Sequence, residues 1–178
     1  MKKEVQVFDY ANEILQSLRT GVLLTTKAND FVNSMTIAWG TLGIEWGMPI
    51  FIAFVREGRF TRGQLDKNPE FTVNVPLGDF DKNILDICGK KSGRDYNKIK
   101  ELSLTPVDGD IISVPAIKEF PLTLECRAIY KQLQCRQAIP ENIKDKNYPQ
   151  DVDSSSPLAN KDYHIAYYGE IVKAYIIE

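Results

Sequence analysis

Residues 33–39 combine hydroxyl and amide side chains with apolar ones at a spacing that could bind a ligand. Period-two alternation predicts a strand with two different faces. Met35, Ile37 and Trp39 fall on the apolar face, and Ser34, Thr36 and Ala38 fall on the polar face. With Asn33, the polar face offers several donors and acceptors, which suits a flat ligand with a polar edge. For Ser34 and Thr36 the alternative is that they are ordinary hydroxyls on an exposed sheet face.

A second segment, shortly after, has the residues of an anion site. The spacing of Thr61 and Gln64 is that of a capping box and predicts a helix that begins at Thr61. The first turn of a helix leaves N–H groups unpaired and carries partial positive charge, so it stabilises a phosphate. Arg56 and Arg59 add guanidinium groups that match phosphate oxygens in pairs, and Gly63 allows close approach. The alternative is a capped surface helix with two solvated arginines.

Length and composition predict one globular domain over residues 1–178. Hydrophobic residues make up 43% of the chain and charged residues 26%, and both values are ordinary for a folded protein. The net charge of −2 gives no reason to expect a nucleic-acid partner or an anionic membrane. No apolar run approaches the roughly 20 residues of a membrane helix, and the first residues lack an apolar signal segment. We therefore expect a cytoplasmic protein.

The cysteines and the single histidine argue against a disulfide framework or a metal site. Cys126 and Cys135 lie an odd number of positions apart, so on one regular strand they point to opposite faces. We expect these two and Cys88 to fill the core. With only one histidine, His164, a zinc site would need an unusual ligand set. We therefore expect no metal.

Apolar periodicity predicts many strands and a few short helices. The predicted strands are 21–26, 31–39, 50–55, 71–75, 122–133 and 165–177. The predicted helices begin near residues 9, 61, 79 and 94. Residues 140–160 are rich in Pro, Asn, Asp, Ser and Lys, and they predict a long loop. That loop is either a solvated excursion, a lid over the ligand or an arm that contacts a partner subunit.

Nine short motifs, spread in order over most of the chain, resemble the flavin reductase-like family and within it the flavoredoxins. They are NSMTIAWGT (33–41), EWGMP (45–49), FVR (54–56), RFT (59–61), FTVNV (71–75), SGRD (92–95) followed by Lys98, LEC (124–126), DYH (162–164) and YGEIV (168–172). The resemblance implies an FMN-binding split barrel. We therefore expect a mainly β fold, a Greek-key antiparallel β-barrel with short flanking helices, and a homodimer.

The resemblance also assigns roles to particular residues. The implied FMN-binding residues are Asn33, Ser34, Met35, Thr36, Trp39, Arg56, Arg59, Phe60, Thr61, Ser92 and Arg94. Trp39 either packs near the flavin ring or fills the core, and its apolar neighbours favour the core. Ser92 and Arg94 either reach the site, within the subunit or across the dimer interface, or belong to a solvated helical turn.

His164 is the implied catalytic residue. Near the flavin it could orient a nicotinamide, stabilise charge on the reduced flavin or donate a proton, since an unperturbed histidine has a pKa near 6.5. The alternative is a structural histidine at the start of a strand. Hydride transfer needs an aligned donor and acceptor rather than a nucleophile.

Two classes of function remain open. The first is an oxidoreductase that passes hydride from NADH or NADPH to FMN and then electrons to flavin, ferric iron or a redox-protein partner. The second is a protein without nicotinamide activity, either a flavoredoxin-type electron carrier or a non-catalytic FMN-binding protein. The hard chemistry belongs to the flavin in either case, while the protein supplies position and electrostatics.

Overall fold

The computed structural model describes residues 1–151 and 161–178. Its strands are β1 (Lys2–Glu4), β2 (Val22–Ala28), β3 (Phe31–Ile37), β4 (Gly40–Glu45), β5 (Met48–Arg56), β6 (Glu70–Val75), β7 (Pro106–Val107), β8 (Ala116–Ile117), β9 (Leu122–Leu133) and β10 (His164–Ile177). Its helices are α1 (Ala11–Leu18), α2 (Phe60–Leu65), α3 (Lys82–Lys90), α4 (Lys98–Glu101) and α5 (Glu141–Asn147). The predicted mainly β architecture with short flanking helices is confirmed.

Eight strands form one antiparallel sheet. The order is β3-β2-β6-β9-β10-β5-β4, and β1 pairs with the far end of β10. The long strand β10 lies between β9 and β5, so its first residue, His164, is opposite Arg56 at the end of β5. Strand β3 ends the sheet on one side, and among the described residues β2 is its only strand partner. The other edge of β3 is therefore open to helices and ligands.

The sheet buries apolar side chains on both faces. Within β2, Val22 and Leu24 enter the main core with Ile14 of α1, whereas Leu23 points the other way into a second cluster. That cluster, which includes Leu85 and Cys88 of α3, holds α3 against the sheet. Cys126 is also buried, as expected, whereas the prediction of core packing is wrong for Cys135, which is exposed.

Two tight hairpins connect neighbouring strands of the sheet. Asn29 and Asp30 join β2 to β3 with φ values of 50° and 59°, the left-handed pair that a two-residue turn of this kind requires. Trp46 and Gly47 do the same between β4 and β5, with φ values of 51° and 74°. The sequence analysis missed β4, because Gly40 and Gly43 interrupt its apolar pattern.

The capping box predicted at Thr61 is absent. Helix α2 begins one residue earlier, at Phe60, and its N-cap residue Arg59 makes no side-chain cap hydrogen bond. The Gln64 amide turns towards the strands, where it accepts from Thr26 Oγ1 and donates to the Phe31 carbonyl. Tertiary hydrogen bonds thus replaced the local pair that the spacing predicted.

The segment predicted as a long loop at 140–160 is partly helical. Residues Glu141–Asn147 form α5, which ends at the buried Tyr148. Residues 152–160 lie outside the described part of the chain, so the choice between a solvated excursion, a lid and an arm that contacts a partner subunit stays open there. The described helices include none that is long and apolar enough to cross a membrane.

Candidate functional site

Two adjoining depressions lie along β3 and form the candidate site. The aromatic cleft, about 160 Å³, is lined by Met35, Thr36, Ile37, Ala38, Trp39, Phe54, Arg56, Arg59 and His164. The cationic cavity, about 90 Å³, is lined by Asn33, Met35, Gly58, Arg59, Phe60, Thr61, Cys88, Gly89, Lys91, Ser92, Gly93, Arg94 and Lys98. Met35 and Arg59 line both. A larger depression, about 560 Å³, lies between β1 and the turn before α1 and contains none of the predicted site residues.

Positive charge dominates the lining of the cationic cavity. Four cationic residues, Arg59, Lys91, Arg94 and Lys98, line it, and no Asp or Glu does. Because unlike charges attract strongly in a partly enclosed space, this lining favours an anion. Guanidinium groups in particular match the oxygens of a phosphate.

Lys98 is almost fully buried beneath this cavity. It is 3% exposed, and its ammonium donates to the Ser34 carbonyl of β3 at 2.8 Å and to the Cys88 carbonyl of α3 at 3.2 Å. Burial lowers the pKa of Lys98 to about 8, and the positive charge of Arg59 adds to that effect. The side chain therefore ties α4 to the edge of β3 and supplies positive charge under the cavity at neutral pH.

Ser92 and Arg94 reach the cavity within the same subunit. The Arg94 guanidinium donates to the Gly58 carbonyl at 3.2–3.3 Å and lies 6.0 Å from the centre of the Phe60 ring. The Ser92 hydroxyl accepts from the Arg94 backbone N–H at 3.2 Å. These contacts join the 92–94 loop to the start of α2 without a second subunit.

Asn33 leaves one polar atom without a partner. Its amide nitrogen donates to Thr61 Oγ1 at 3.2 Å, but its Oδ1 is buried and has no hydrogen-bond partner among the described residues. A Cβ at Gly93 would collide with this Oδ1 and with the Phe60 ring, so glycine is needed there. A buried carbonyl oxygen without a donor is costly, and a ligand N–H or O–H in the cavity would remove that cost.

The aromatic cleft places flat rings around His164. The Trp39 ring centre lies 4.7 Å from that of His164, and Arg56 lies 5.9 Å above the Trp39 ring. Trp39 is 41% exposed, so the prediction that it packs in the core is wrong. It lies two residues beyond the end of β3, where the alternation of faces no longer applies.

Arg56 is held by backbone groups on the wall of the cleft. Its guanidinium donates to the Asp162 carbonyl at 2.7 Å and to the Asn147 carbonyl at 3.0 Å. It also lies 5.1 Å above the Tyr148 ring. These contacts bring the end of α5 and the start of β10 together beside the cleft.

His164 is buried and uncharged at neutral pH. It is 6% exposed, and its Nδ1 lies 2.9 Å from the Tyr148 hydroxyl. Burial, together with the positive charge of Arg56, lowers the pKa of His164 to about 4. At neutral pH the charged imidazolium form is therefore scarce, and His164 is a poor proton donor.

The hydroxyls of Ser34, Thr36 and Thr61 have hydrogen-bond partners within the protein. Ser34 is fully buried, and its Oγ lies 2.8 Å from Thr25 Oγ1, while Thr36 Oγ1 donates to the Leu85 carbonyl at 2.6 Å. Thr61 is 1% exposed and accepts from Asn33. Ser34 lines neither depression. Thr36 lines the aromatic cleft and Thr61 lines the cationic cavity, so contact between their hydroxyls and a ligand stays a prediction. Strand β3 also offers the site its open backbone edge, with the side chains of Asn33 and Met35.

Sequence reasoning missed two groups next to His164. Gln134 and Tyr148 hydrogen bond to each other and to His164, but neither belongs to a motif that suggests a site. Lys98 follows the SGRD motif (92–95) in the sequence but was not predicted as a site residue. The described residues contain no group of three or more His, Cys, Asp or Glu side chains that could hold a metal ion.

Comparison with known proteins places these features in a family. The flavin reductase like domain matches residues 15–178. The chain belongs to this family. An uncharacterized protein of Archaeoglobus fulgidus is 31% identical over 117 residues, covering 66% of this chain and 64% of that protein. The chain thus matches less than two thirds of that relative's length.

Several solved structures share the fold of this chain. Flavoredoxin of Desulfovibrio vulgaris (Miyazaki F) superposes with a TM-score of 0.65 at 21% identity, over 89% of this chain and 69% of that one. Flavoredoxin from Methanosarcina acetivorans gives 0.64 at 23% identity, over 89% and 68%. The FMN-binding protein from Thermus thermophilus with bound 1-cyclohex-2-enone gives 0.63 at 19%, over 86% and 68%. The predicted family and fold are confirmed.

Proposed function

We propose that this protein is an FMN-binding oxidoreductase. The observation that carries the proposal is the junction of the two depressions at Met35 and Arg59, where a cavity lined by four cations and no carboxylate meets a cleft walled by aromatic rings. FMN has the matching shape, because a flat ring system is joined through a short polar chain to a phosphate. The names of the flavoredoxins and of the Thermus FMN-binding protein agree with this assignment.

The residues present fit both ends of this cofactor. Arg59, Arg94, Ser92 and the third N–H of Lys98 would hold the phosphate. The unpartnered Oδ1 of Asn33 would accept a hydrogen bond from a hydroxyl or N–H of the ligand.

The ring system would lie in the aromatic cleft along the open edge of β3. There Met35 is shared with the cationic cavity, and Trp39 and His164 form the opposite end. Phe60 lines only the cavity and supports Arg94, so it stays a proposed contact near the phosphate.

Bound FMN supplies the redox chemistry, which we propose begins with hydride from NADH or NADPH and ends at flavin, ferric iron or a redox protein. The chain's own residues position the cofactor and exclude water from one side of the cleft. Flavoredoxin-type electron transfer without a nicotinamide is the second candidate, and the two flavoredoxins of similar fold favour it. A protein that binds FMN without turnover is the third.

The visible absorption spectrum of the purified protein tests the proposal. A yellow protein that releases FMN on denaturation supports it, whereas a colourless protein that fails to bind added FMN contradicts it. Steady-state oxidation of NADH and NADPH then separates the reductase from the carrier. Electron exchange with an iron–sulfur protein separates the carrier from a protein without turnover.

We also propose a homodimer. The exposed rings of Trp46 and Tyr130 form an aromatic cluster with the half-buried Tyr168, with ring centres 5.0–6.2 Å apart, and Ile44 at 70% exposure lies in the same hairpin as Trp46. Contiguous exposed rings of this kind mark interaction surfaces. Light scattering at micromolar concentration tests it, and a stable monomer that binds FMN fully would contradict it.

A further inference from the structure

Tyr148 and Gln134 enclose the Nδ1 side of His164. Tyr148 is 3% exposed, and its hydroxyl lies 2.9 Å from His164 Nδ1 and 2.9 Å from Gln134 Oε1. Gln134 follows the end of β9, whereas Tyr148 ends α5, so two distant segments meet at one imidazole. Neither residue takes part in the proposed binding of FMN.

The protons in this group can be assigned one by one. The backbone N–H of His164 is always a donor, and it lies 3.2 Å from the Gln134 side-chain oxygen, which fixes the orientation of that amide. A phenol has one proton, and Tyr148 donates it to the same Gln134 oxygen. The phenol oxygen is then left as an acceptor towards His164 Nδ1, so Nδ1 carries the imidazole proton.

We infer that Tyr148 and Gln134 are positioning residues that hold neutral His164 in its Nδ1–H tautomer and so present Nε2 to the aromatic cleft as a hydrogen-bond acceptor. Among the described residues, the side-chain hydrogen bonds of His164 use Nδ1 only, and the ring lines the cleft. Trp39 and Tyr148 pack against the ring, at centre distances of 4.7 and 5.6 Å, and fix its plane. The cleft therefore favours a ligand with a neutral N–H or O–H donor at this point.

The surroundings keep the imidazole neutral, which is the state in which a tautomer is defined. Arg56 on β5 and Arg59 at the start of α2 oppose a positive charge on His164, and Asp162 just before β10 favours one. Burial and the two arginines together outweigh Asp162, so the pKa of His164 is lowered to about 4. Tyr148 from α5 faces Nδ1 as an uncharged phenol, because burial raises its own pKa.

Nitrogen NMR can read the tautomer directly, because the chain contains a single histidine. In protein labelled with ¹⁵N-histidine, at neutral pH and without added flavin, we expect a protonated, pyrrole-type shift at Nδ1 and an unprotonated, pyridine-type shift at Nε2. The opposite assignment in the wild type would overturn the inference. A failed FMN-binding test leaves this result intact, so the two failures can be told apart.

Three variants assign the effect to the hydrogen bonds. Tyr148→Phe removes the acceptor, and Gln134→Met lets the Tyr148 proton turn towards Nδ1, so both should move the imidazole proton to Nε2. Tyr163→Phe is the matched control, because its ring stacks on Tyr148 at 4.4 Å while its hydroxyl makes no hydrogen bond among the described residues. A control that moves the proton as far as the other two would overturn the assignment to Tyr148 and Gln134.

Discussion

The two halves of the site differ in how much positive charge lines them. The cationic cavity collects four positive side chains with no carboxylate, so charge decides what it attracts. The aromatic cleft has two arginines in its lining, Arg56 and Arg59, but the rest of the lining is uncharged and includes the neutral imidazole of His164, so shape and hydrogen-bond direction add to charge there. A ligand with an anion at one end and a flat ring system at the other would fit both halves.

The two halves also differ in which parts of the sequence provide their lining residues. Residues 33–98 provide the whole lining of the cationic cavity, including Arg59 and Arg94. The aromatic cleft needs His164 from β10, which Tyr148 and Gln134 hold in place. The lining of the cavity thus comes from one stretch of the chain, whereas the cleft also needs the strand pairing that brings His164 opposite Arg56.

The largest expected effect is on stability in acid and belongs to the cleft. The folded-state pKa of His164 is about 4 against about 6.5 when unfolded, so the unfolded chain binds more protons between these values. The free energy of unfolding should therefore fall as pH drops from about 6.5 to about 4, by roughly 3 kcal/mol from this group.

Urea titrations of the wild type and His164→Asn at several pH values would measure it. Hydrogen-bonded carboxylates such as Glu70 act in both proteins, so the difference between the curves isolates His164. Parallel curves would mean that the imidazole is already charged in the fold, and the contrast between the two halves would disappear.

The next effect concerns the cationic cavity. Arg59→Ala should weaken FMN by roughly 10- to 150-fold, which corresponds to about 1.5–3 kcal/mol for a hydrogen bond to a charged group. Riboflavin, which lacks the phosphate, should bind about as before. The control is Arg62→Ala, three residues further along, where the arginine pairs with Asp66 outside the cavity.

Equal losses for FMN and riboflavin would place Arg59 away from the phosphate. Arg56→Ala provides a second comparison of FMN with riboflavin, because Arg56 lines only the aromatic cleft. We expect it to weaken both ligands alike.

A smaller effect is expected where the cavity rests on β3. Lys98→Met removes the donor to the Ser34 and Cys88 carbonyls and should lower the free energy of unfolding by about 1–2 kcal/mol. Lys100→Met, on the exposed side of the same short helix, should change it little. Equal changes measured by urea unfolding would show that the buried tether contributes nothing beyond surface charge.

The sequence predicted the cavity better than the cleft, and the reason is physical. Arg59, Ser92 and Arg94 lie in short motifs, and local loops bring them together. Thr61 shows the limit of local reasoning, since its spacing to Gln64 suggested a cap while both side chains bind neighbouring strands. The local capping hydrogen bond does not form, because hydrogen bonds to β2 and β3 replace it, and residue spacing alone does not predict those.

The cleft could not be predicted because it depends on pairing between distant strands. His164 meets Arg56 only because β10 pairs with β5 in that register. Tyr148 lies in a polar stretch that resembles a loop, and its hydrogen bond to His164 appears only after α5 packs on the cleft wall. The core prediction for Trp39 failed for a different reason: β3 ends at Ile37, so the alternation of faces does not extend to Trp39.

The smallest expected effect tests what the neutral imidazole contributes to electron delivery. His164→Asn should keep bound flavin and slow its reduction by NADH or NADPH about 2- to 10-fold, the worth of one orienting hydrogen bond of about 0.5–1.5 kcal/mol. A general acid would be worth about 10²–10⁴-fold, but an imidazole with a pKa of about 4 carries no spare proton at neutral pH. Stopped-flow bleaching measures the rate, with dithionite reduction as the control for competent flavin.

Each outcome of that experiment decides between named roles. A loss of 10² or more would make His164 a proton donor and contradict its neutral state, whereas an unchanged rate would leave it a structural residue. If the wild type itself is reduced slowly by both nicotinamides, His164 has no nicotinamide to orient, and the electron-carrier function replaces the reductase. In that case Nε2 of His164 would still offer its lone pair to the cleft, because Tyr148 and Gln134 set its tautomer independently of the electron donor.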